Sequence, residues 1–570
     1  MSIEVFSVLY FLTKDITGPD KIWKYYIVLL LVQIVAMLPM YTQSFMYGDD
    51  LWAFADDYSG TITASMLYSR PYLDLLKGPL LDTSFQSIKY FRIYNSLILF
   101  AFGCILFKFT YEQTKQASRA LIFSALAISS CFAVDCVAYA SIYPINGSLL
   151  SSGISFVLYV KSKRAEKKEK IALLIGSMIC LLNAFYMYQI GTPFVFVMYM
   201  IYEGRQRKSD TKRFCDAFYY VINYAIVAVV YLCSTKLFQK ICAIDMGQEA
   251  RGQFISLDQV GGKIYWFLTE VCPQTAHRLI GILFGNTLFN QNNMFYKVTF
   301  KAGAEWMGVL FVSVLVFLGA LSVIKTGIRL KSVMYIFIAL VAIPLSFWPF
   351  LVLPESTYLT YYAIVIIILF LWYVIDGVSI LMKKFCLNKK ISEGVILTIM
   401  IISVLQSNAY AENAWVNYCR DSYEYLADSI AEGLSENPQT EAIVVQGSIG
   451  PYVGGHAYVI YCVKDILKEM SYNPENYSIV QYTNANYVDN FRGREVEEMQ
   501  AILGEDVMEQ LKSYYIYDEF YDRWLYNGTA TSETDLNFLR ECFLKTGHLE
   551  EMTENTLFIS LEGFNLRKTF

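Results

Sequence analysis

Long apolar runs alternate along the chain with short basic blocks, a pattern that predicts a polytopic α-helical membrane protein. The first run, residues 25–41 (YYIVLLLVQIVAMLPMY), is free of charge. At about 1.5 Å per residue it crosses most of a bilayer core of roughly 30 Å. Further runs at 92–110, 120–138, 147–160, 171–186, 189–203, 216–236, 305–324, 333–353, 358–381 and 392–407 bring the predicted crossings to eleven, of which 147–160 and 189–203 are short enough to be re-entrant. Counted from a cytoplasmic N-terminus, five basic groups fall on one side: Lys115/Arg119, residues 161–170 (KSKRAEKKEK), residues 204–213, Lys325/Arg329/Lys331 and Lys383/Lys384/Lys389/Lys390. The positive-inside rule asks for this arrangement. It places the segment after the first run, residues 237–304 and everything after 407 outside the cytoplasm.

After 407 the pattern changes and acidic residues become frequent. The expected organisation is a multispanning transmembrane domain over 1–407 and an extracytoplasmic α/β domain over 408–570. Periodicity in the second part predicts a helix at 412–434, a strand at 441–446, a helix at 455–470, a strand at 477–482, helices within 494–514 and a strand near 556–561.

Composition narrows the function classes. Hydrophobic residues make up 55% of the 570 and charged residues 17%, too apolar a balance for a soluble chain of this size. The net charge of −5 comes with basic residues in short blocks between apolar runs, so there is no nucleic-acid-binding surface to expect. Asp15, Asp20 and Lys21 precede the first run and no small-residue cleavage site follows it, so it reads as a retained helix and not a signal peptide. The 12 cysteines lack paired spacing, and His277, His456 and His548 have no metal-ligand partner at helical spacing. Gly447–Gly455 lacks the spacing and the Lys-Ser/Thr ending of a phosphate loop and reads as a flexible connection.

Candidate chemistry collects just beyond the first run, at Tyr47-Gly48-Asp49-Asp50-Leu51-Trp52. Adjacent aspartates cost about 2.5–3.5 kcal/mol each at a membrane centre and belong at the water boundary. The pair also suits a helix N-cap, but a cap needs one carboxylate. Asp56 and Asp57 follow one heptad later, and Arg70 precedes Pro71 in the same outer segment. Four acids and an arginine beside a membrane suit a site that handles a phosphate and an acceptor hydroxyl. Tyr188 and Gln189 lie between two apolar runs, where aromatics anchor at interfaces and a neutral amide can bind sugar hydroxyls. Asp135, Tyr143, Asn146 and Glu355 lie near predicted outer ends and are expected to face solvent.

A first span with Asp49-Asp50 at its outer end, then Arg70-Pro71, then Tyr188-Gln189, then an outward α/β tail together resemble the bacterial membrane glucosyltransferases of the Gtr type II class, multispanning glycosyltransferases of the C-fold. Ser69 stands where that class has glycine, and Pro354–Tyr358 lacks its arginine. The resemblance implies transfer of a hexosyl residue, glucosyl in that class, from a polyprenyl-phosphate sugar donor to a cell-surface glycan acceptor within the lipid bilayer. One of Asp49 and Asp50 would be the base. The other would hold acceptor hydroxyls or a divalent cation. Asp56, Asp57, Arg70, Tyr188 and Gln189 would bind substrate. The physical argument agrees: outside the cytoplasm there are no nucleotide sugars, so the donor must be carried by lipid. The alternative from another class is a transporter or flippase for lipid-linked sugars, which would show inverted repeats and polar midplanes; the spans read as clean at their centres.

Overall fold

The computed structural model describes residues 22–43, 88–138, 144–241, 255–284, 289–290, 299–300, 303–353, 361–384, 389–446, 456–482, 496–518, 523–526, 533–546 and 555–561. Among them six helices are long and apolar enough to cross a membrane: α1 (Ile22–Thr42), α2 (Ile88–Thr114), α6 (Lys167–Met187), α8 (Asp210–Ile241, apolar to Phe238), α11 (Glu305–Leu330) and α14 (Ile364–Lys384). A bent pair, α3 (Ala117–Ser129) and α4 (Cys131–Ala138), meets the same test as one span broken by 43°. Helices α5 (Pro144–Ser162) and α15 (Lys389–Tyr410) fill two more of the predicted positions.

The remaining predicted crossings look different. Residues 189–203 begin as a 3-10 turn, Gln189–Gly191, and continue as α7 (Phe194–Glu203), every residue of which is buried. Ten helical residues rise only about 15 Å, and the segment runs inside the bundle beside α5. Phe194 meets Phe102 of α2, and Tyr199 meets Phe156 of α5. The predicted span 333–353 is interrupted. Pro344 lies in the last turn of α12 (Val333–Leu345), and after Ser346 and Phe347 the chain restarts as α13 (Trp348–Leu351). Proline has no N–H to give and crowds the preceding turn, so a break here is what its position requires.

Residues 237–304 are not simply a loop. Helix α8 runs to Ile241, and residues 260–284 form a nearly continuous helix: α9 (Val260–Trp266), a π-helical turn Phe267–Val271 and α10 (Cys272–Phe284). Helix α10 lies against α4, α11, α14 and α15. Short antiparallel strands β1 (Phe289–Asn290) and β2 (Thr299–Phe300) follow.

The spans are less clean than their sequence suggests. Gln33, in the middle of α1, is buried and its Nε2 donates to the Ser96 carbonyl on α2 at 2.8 Å. Ser155 Oγ donates to the Ser177 carbonyl at 2.8 Å between α5 and α6. In an apolar surrounding a buried donor needs a partner, and these two find theirs on a neighbouring helix.

Helix α15 does not stop near 407. It passes through a π-helical turn, Ala411–Val416, directly into α16 (Asn417–Glu436). Beyond it three strands fall where the sequence pattern places them, and two at 515–518 and 523–526 are additions to that pattern. Strands β3 (Ala442–Gln446), β4 (Ser478–Tyr482) and β7 (Thr556–Ser560) form a parallel sheet in the order β4-β3-β7. A separate hairpin pairs β5 (Tyr515–Asp518) with β6 (Arg523–Tyr526). Residues alternate across β3: Ile443 and Val445 join a core with Leu426 and Ile430 of α16 and Val463 and Ile466 of α17 (His456–Glu469). Val444 faces the other way, into Met499 of α18 (Val496–Leu503), Leu511 of α19 (Glu505–Leu511) and Leu539 of α20 (Glu533–Thr546). A parallel strand covered on both faces must be apolar throughout, and AIVV is. The first of these cores also takes in Ile88 and Phe91, the start of α2, which fastens the C-terminal part to the bundle. Within it, burial and the nearby Asp465 carboxylate push the Tyr423 hydroxyl above the phenol range, so it remains the donor in its 3.1 Å bond to Asp465.

Candidate functional site

The two ends of the bundle carry different chemistry. At one end the basic blocks meet. Arg213 Nη1 donates to Glu203 Oε1 at 2.5 Å, both side chains wholly buried, and Lys208 Nζ bridges Glu203 and Asp216 at 2.9 and 2.6 Å. Arg119 pairs with Asp376, lies over the Trp372 ring at 4.2 Å, and Asp376 also accepts from Ser322 Oγ at 2.7 Å. Arg329 Nη2 donates to the Gly204 carbonyl at 2.8 Å. These contacts join α3, α7, α8, α11 and α14, so basic residues from three of the five groups, Arg119, Lys208 with Arg213, and Arg329, come together. Lys115 and Lys331 turn two of the connections there in the left-handed conformation, at φ 56° and 53°.

At the opposite end, buried polar side chains gather beneath the exit of α1. The last carbonyls of α4 have no helical partner, and neighbouring helices supply donors. Arg92 Nε donates to the Ala138 carbonyl and Asn95 Nδ2 to the Cys136 carbonyl, both at 2.9 Å, while Asn146 Nδ2 donates to Asn95 Oδ1 at 2.8 Å. Asp135 is 3% exposed and accepts from Tyr410 Oη at 2.8 Å and from Trp415 Nε1 at 3.1 Å. Arg278, carried in by α10 and 2% exposed, stands within electrostatic reach of Cys131 and Tyr410, as Asp135 does. Tyr41 Oη donates to Ser96 Oγ at 2.8 Å, and Arg420 of α16 hydrogen-bonds Gln43, the residue after α1. This end therefore holds fixed positive and negative groups, with hydrogen-bond donors, in a largely water-free setting. Such a setting strengthens their action on a charged ligand.

Asp135 and Asn146, expected to face solvent, are instead buried members of this network. The reason is that their partners lie far away in sequence, on α15, the π-helical turn after it, and α2. Arg92 and Arg278 were missed altogether. Arg92 opens an apolar run like any interfacial arginine, and Arg278 lies in a stretch that reads as loop.

Tyr188 and Gln189 stand together at the break between α6 and α7, where Tyr188 is buried and Gln189 half-buried. Ser148 Oγ donates to the Tyr188 carbonyl at 2.7 Å, and Gln189 Nε2 hydrogen-bonds Tyr231. Thr192 Oγ1 donates to the Gln189 carbonyl at 2.8 Å and shares a 2.6 Å hydrogen bond with Tyr224, to which Trp348 Nε1 donates at 2.8 Å. A Cβ on Gly191 would stand 2.5 Å from Ser148 Oγ, so the turn fits only without a side chain there. These contacts hold the chain reversal between α6 and α7.

Asp49, Asp50, Asp56, Asp57 and Arg70 lie outside the described residues, as do Tyr143 and Glu355. Among the described residues no three His, Cys, Asp or Glu side chains gather as metal ligands.

The sequence matches no protein-family model and no curated protein. Among solved structures it is similar to the archaeal oligosaccharyltransferase AglB from Archaeoglobus fulgidus, solved in complex with an inhibitory peptide and a dolichol-phosphate. That likeness covers 90% of this chain and 75% of that chain at 10% identity and a TM-score of 0.38. A likeness at that level fixes neither fold nor activity.

Proposed function

We propose that the chain is an integral-membrane glycosyltransferase of the C-fold that moves a hexosyl residue, glucosyl by its sequence resemblance, from a polyprenyl phosphate to a cell-surface glycan. The N-terminus would be cytoplasmic, and the part after 407 would be an extracytoplasmic domain. The observation that carries this reading is the segregation of the bundle ends. Arg119, Lys208, Arg213 and Arg329 lie at one end, and the buried Asp135, Arg92 and Arg278 lie at the other, where α1 leads into the segment bearing Asp49 and Asp50.

In this mechanism Asp49 or Asp50 deprotonates the acceptor hydroxyl, whose oxygen forms the new bond at the anomeric carbon as the bond to the lipid phosphate breaks. Configuration inverts through an oxocarbenium-like transition state, as in inverting glycosidases. Arg70 stabilises the departing phosphate with its fork of donors. The second aspartate would hold acceptor hydroxyls or a divalent cation, and Asp56 and Asp57 bind substrate. Tyr188 and Gln189 act on substrate through the turn they build. A positioned base contributes typically 10²–10⁴-fold, and alignment and phosphate stabilisation supply the rest.

The test is transfer from a short-chain polyprenyl-phosphate glucose to surface glycan by the purified protein, beside Asp49→Asn and Asp50→Asn. Transfer should be measurable, and the variant that removes the base should lose at least about a hundredfold. No transfer of any hexose, together with movement of the intact donor across vesicle membranes, would replace the enzyme by a flippase.

A further inference from the structure

Two charged clusters lie side by side at the basic end, and one of them is not balanced. Arg119 of α3 is 5% exposed and paired with Asp376 of α14, and its Nε has no hydrogen-bond partner. Arg329 of α11 donates to the Gly204 carbonyl at 2.8 Å, which holds it against the residue before Arg205. Arg205 itself stands within electrostatic reach of Arg119, Arg329 and Asp376. Among the described residues the Arg205 guanidinium makes no hydrogen bond or ion pair, and the Tyr335 hydroxyl, which lies beside Gly204, makes none either.

Three guanidiniums thus face one carboxylate, a surplus of two positive charges, and Ser322 already donates to one of the Asp376 oxygens. The neighbouring cluster differs. There Glu203 and Asp216 receive Arg213, Lys208 and Lys163, and each cation has a carboxylate at 3.8 Å or less. Guanidiniums do not shed protons to relieve crowding, so the surplus persists at any working pH. Burial first, and then the Arg329 charge, lower the Arg205 pKa; a bound anion would offset that repulsion. Arg329 is exposed and Arg205 half-buried, which leaves the cluster open to a ligand from the water or from the leaflet beside it.

We propose that Arg119, Arg205 and Arg329 together bind a phosphomonoester dianion, with the Tyr335 hydroxyl as a further donor. The guanidinium fork matches phosphate oxygens bidentately. A dianion also matches the surplus charge, whereas a carboxylate or a phosphodiester would leave one positive charge without a counterpart. Either a phosphatidic acid headgroup or a soluble phosphate presents this group. Bound there, it would tie α3 and α11 to the connection after α7.

The purified full chain tests it with two probes. In detergent, inorganic phosphate replacing chloride at constant ionic strength should raise the melting temperature saturably. In nanodiscs of equal phosphatidic acid and phosphatidylglycerol, native mass spectrometry of the released protein reads which lipid stays. Phosphatidic acid retained several-fold over phosphatidylglycerol makes a lipid headgroup the source; saturable phosphate binding without that preference makes the source a soluble phosphate. Arg205→Gln should weaken whichever response is seen by about tenfold or more. It should not lower the melting temperature without ligand, because that side chain has no bond in the protein to lose. Arg329→Gln, whose amide can still donate to Gly204, should weaken the response too, and Lys212→Gln, an exposed cation beside Asp216, should not. Phosphate also stabilises proteins by exclusion from their surface, so a response that survives Arg205→Gln would overturn the proposal. So would the absence of both the phosphate response and the phosphatidic acid preference.

Discussion

Tyr410 and Asp135 stand 275 positions apart in the chain, yet Tyr410 Oη donates to the Asp135 carboxylate at 2.8 Å in the interior of the bundle. A hydrogen bond to a charged group is worth about 1.5–3 kcal/mol, more where water cannot replace it. Tyr410→Phe should therefore destabilise the protein by about that amount, read as a lowered melting temperature in detergent. Asp135→Asn, which keeps an acceptor, should cost less.

At the basic end, Arg213 and Glu203 form a wholly buried ion pair. Glu203 keeps Lys208 when Arg213 is removed, whereas removing Glu203 leaves the buried Arg213 guanidinium with carbonyl partners only, so Glu203→Ala should cost about 3–5 kcal/mol and Arg213→Ala less. Replacing both with apolar residues of similar volume should cost far less. Equal losses in the single and double variants would show that the pair contributes through shape alone.

Gly377 of α14 lies against the backbone of α11, where an added Cβ would stand 2.7 Å from the Leu318 carbonyl carbon. A backbone atom cannot swing aside as a side-chain tip can. Gly377→Ala should push α11 and α14 apart and cost at least about 1–3 kcal/mol. The adjacent Ser322–Asp376 bond should weaken with it, and faster exchange of the amides on both helices would report the separation.

Arg70 is assigned to the donor phosphate and not to proton transfer, since a guanidinium stays protonated at any working pH. Arg70→Lys should lower transfer substantially and Arg70→Ala further. Measured in detergent with a short-chain donor, wild-type donor affinity in Arg70→Ala would reduce this residue to an anchor for lipid headgroups.

Orientation is tested by labelling. Cysteines introduced at 161–170 or 204–213 should react only from the cytoplasmic side, and one near Ser84 only from outside. Reaction at Ser84 from the cytoplasm would remove the argument for a lipid-borne donor.

What could be read from the chain depended on whether the signal was local. The AIVV run of β3 is apolar because both its faces are covered, and that is visible in four residues. Pro344 is as local a mark, yet the run 333–353 reads as one span and the break after α12 is seen only in the structure. Residues 260–284 gave no such sign: Lys263, Glu270, Gln274 and Arg278 suggest an exposed loop, and only the packing of α10 against α4, α11, α14 and α15 explains the buried helix in its second half. In 189–203 the apolar run and its shortness were legible, but not that the helix would be wholly enclosed and preceded by a turn. At the polar end, Asp135 gave no local sign of burial because its donors come from Tyr410 and Trp415. Asp49, Asp50 and Arg70 rest on motif and order alone.

From Lys389 to Glu436 the chain is helical without a break, a contour of roughly 70 Å at 1.5 Å per residue. One end is rooted among the spans and the other is built into the core beneath β3. A domain hung on a slack linker can sample many orientations, but one mounted on a mast moves only as the mast leans or flexes. Tilting of the last span in response to bilayer thickness would therefore carry the C-terminal sheet with it. The π-helical turn at Ala411–Val416, midway along, is pinned to the bundle by the Trp415–Asp135 hydrogen bond, so the span and the sheet would move together and not about that turn.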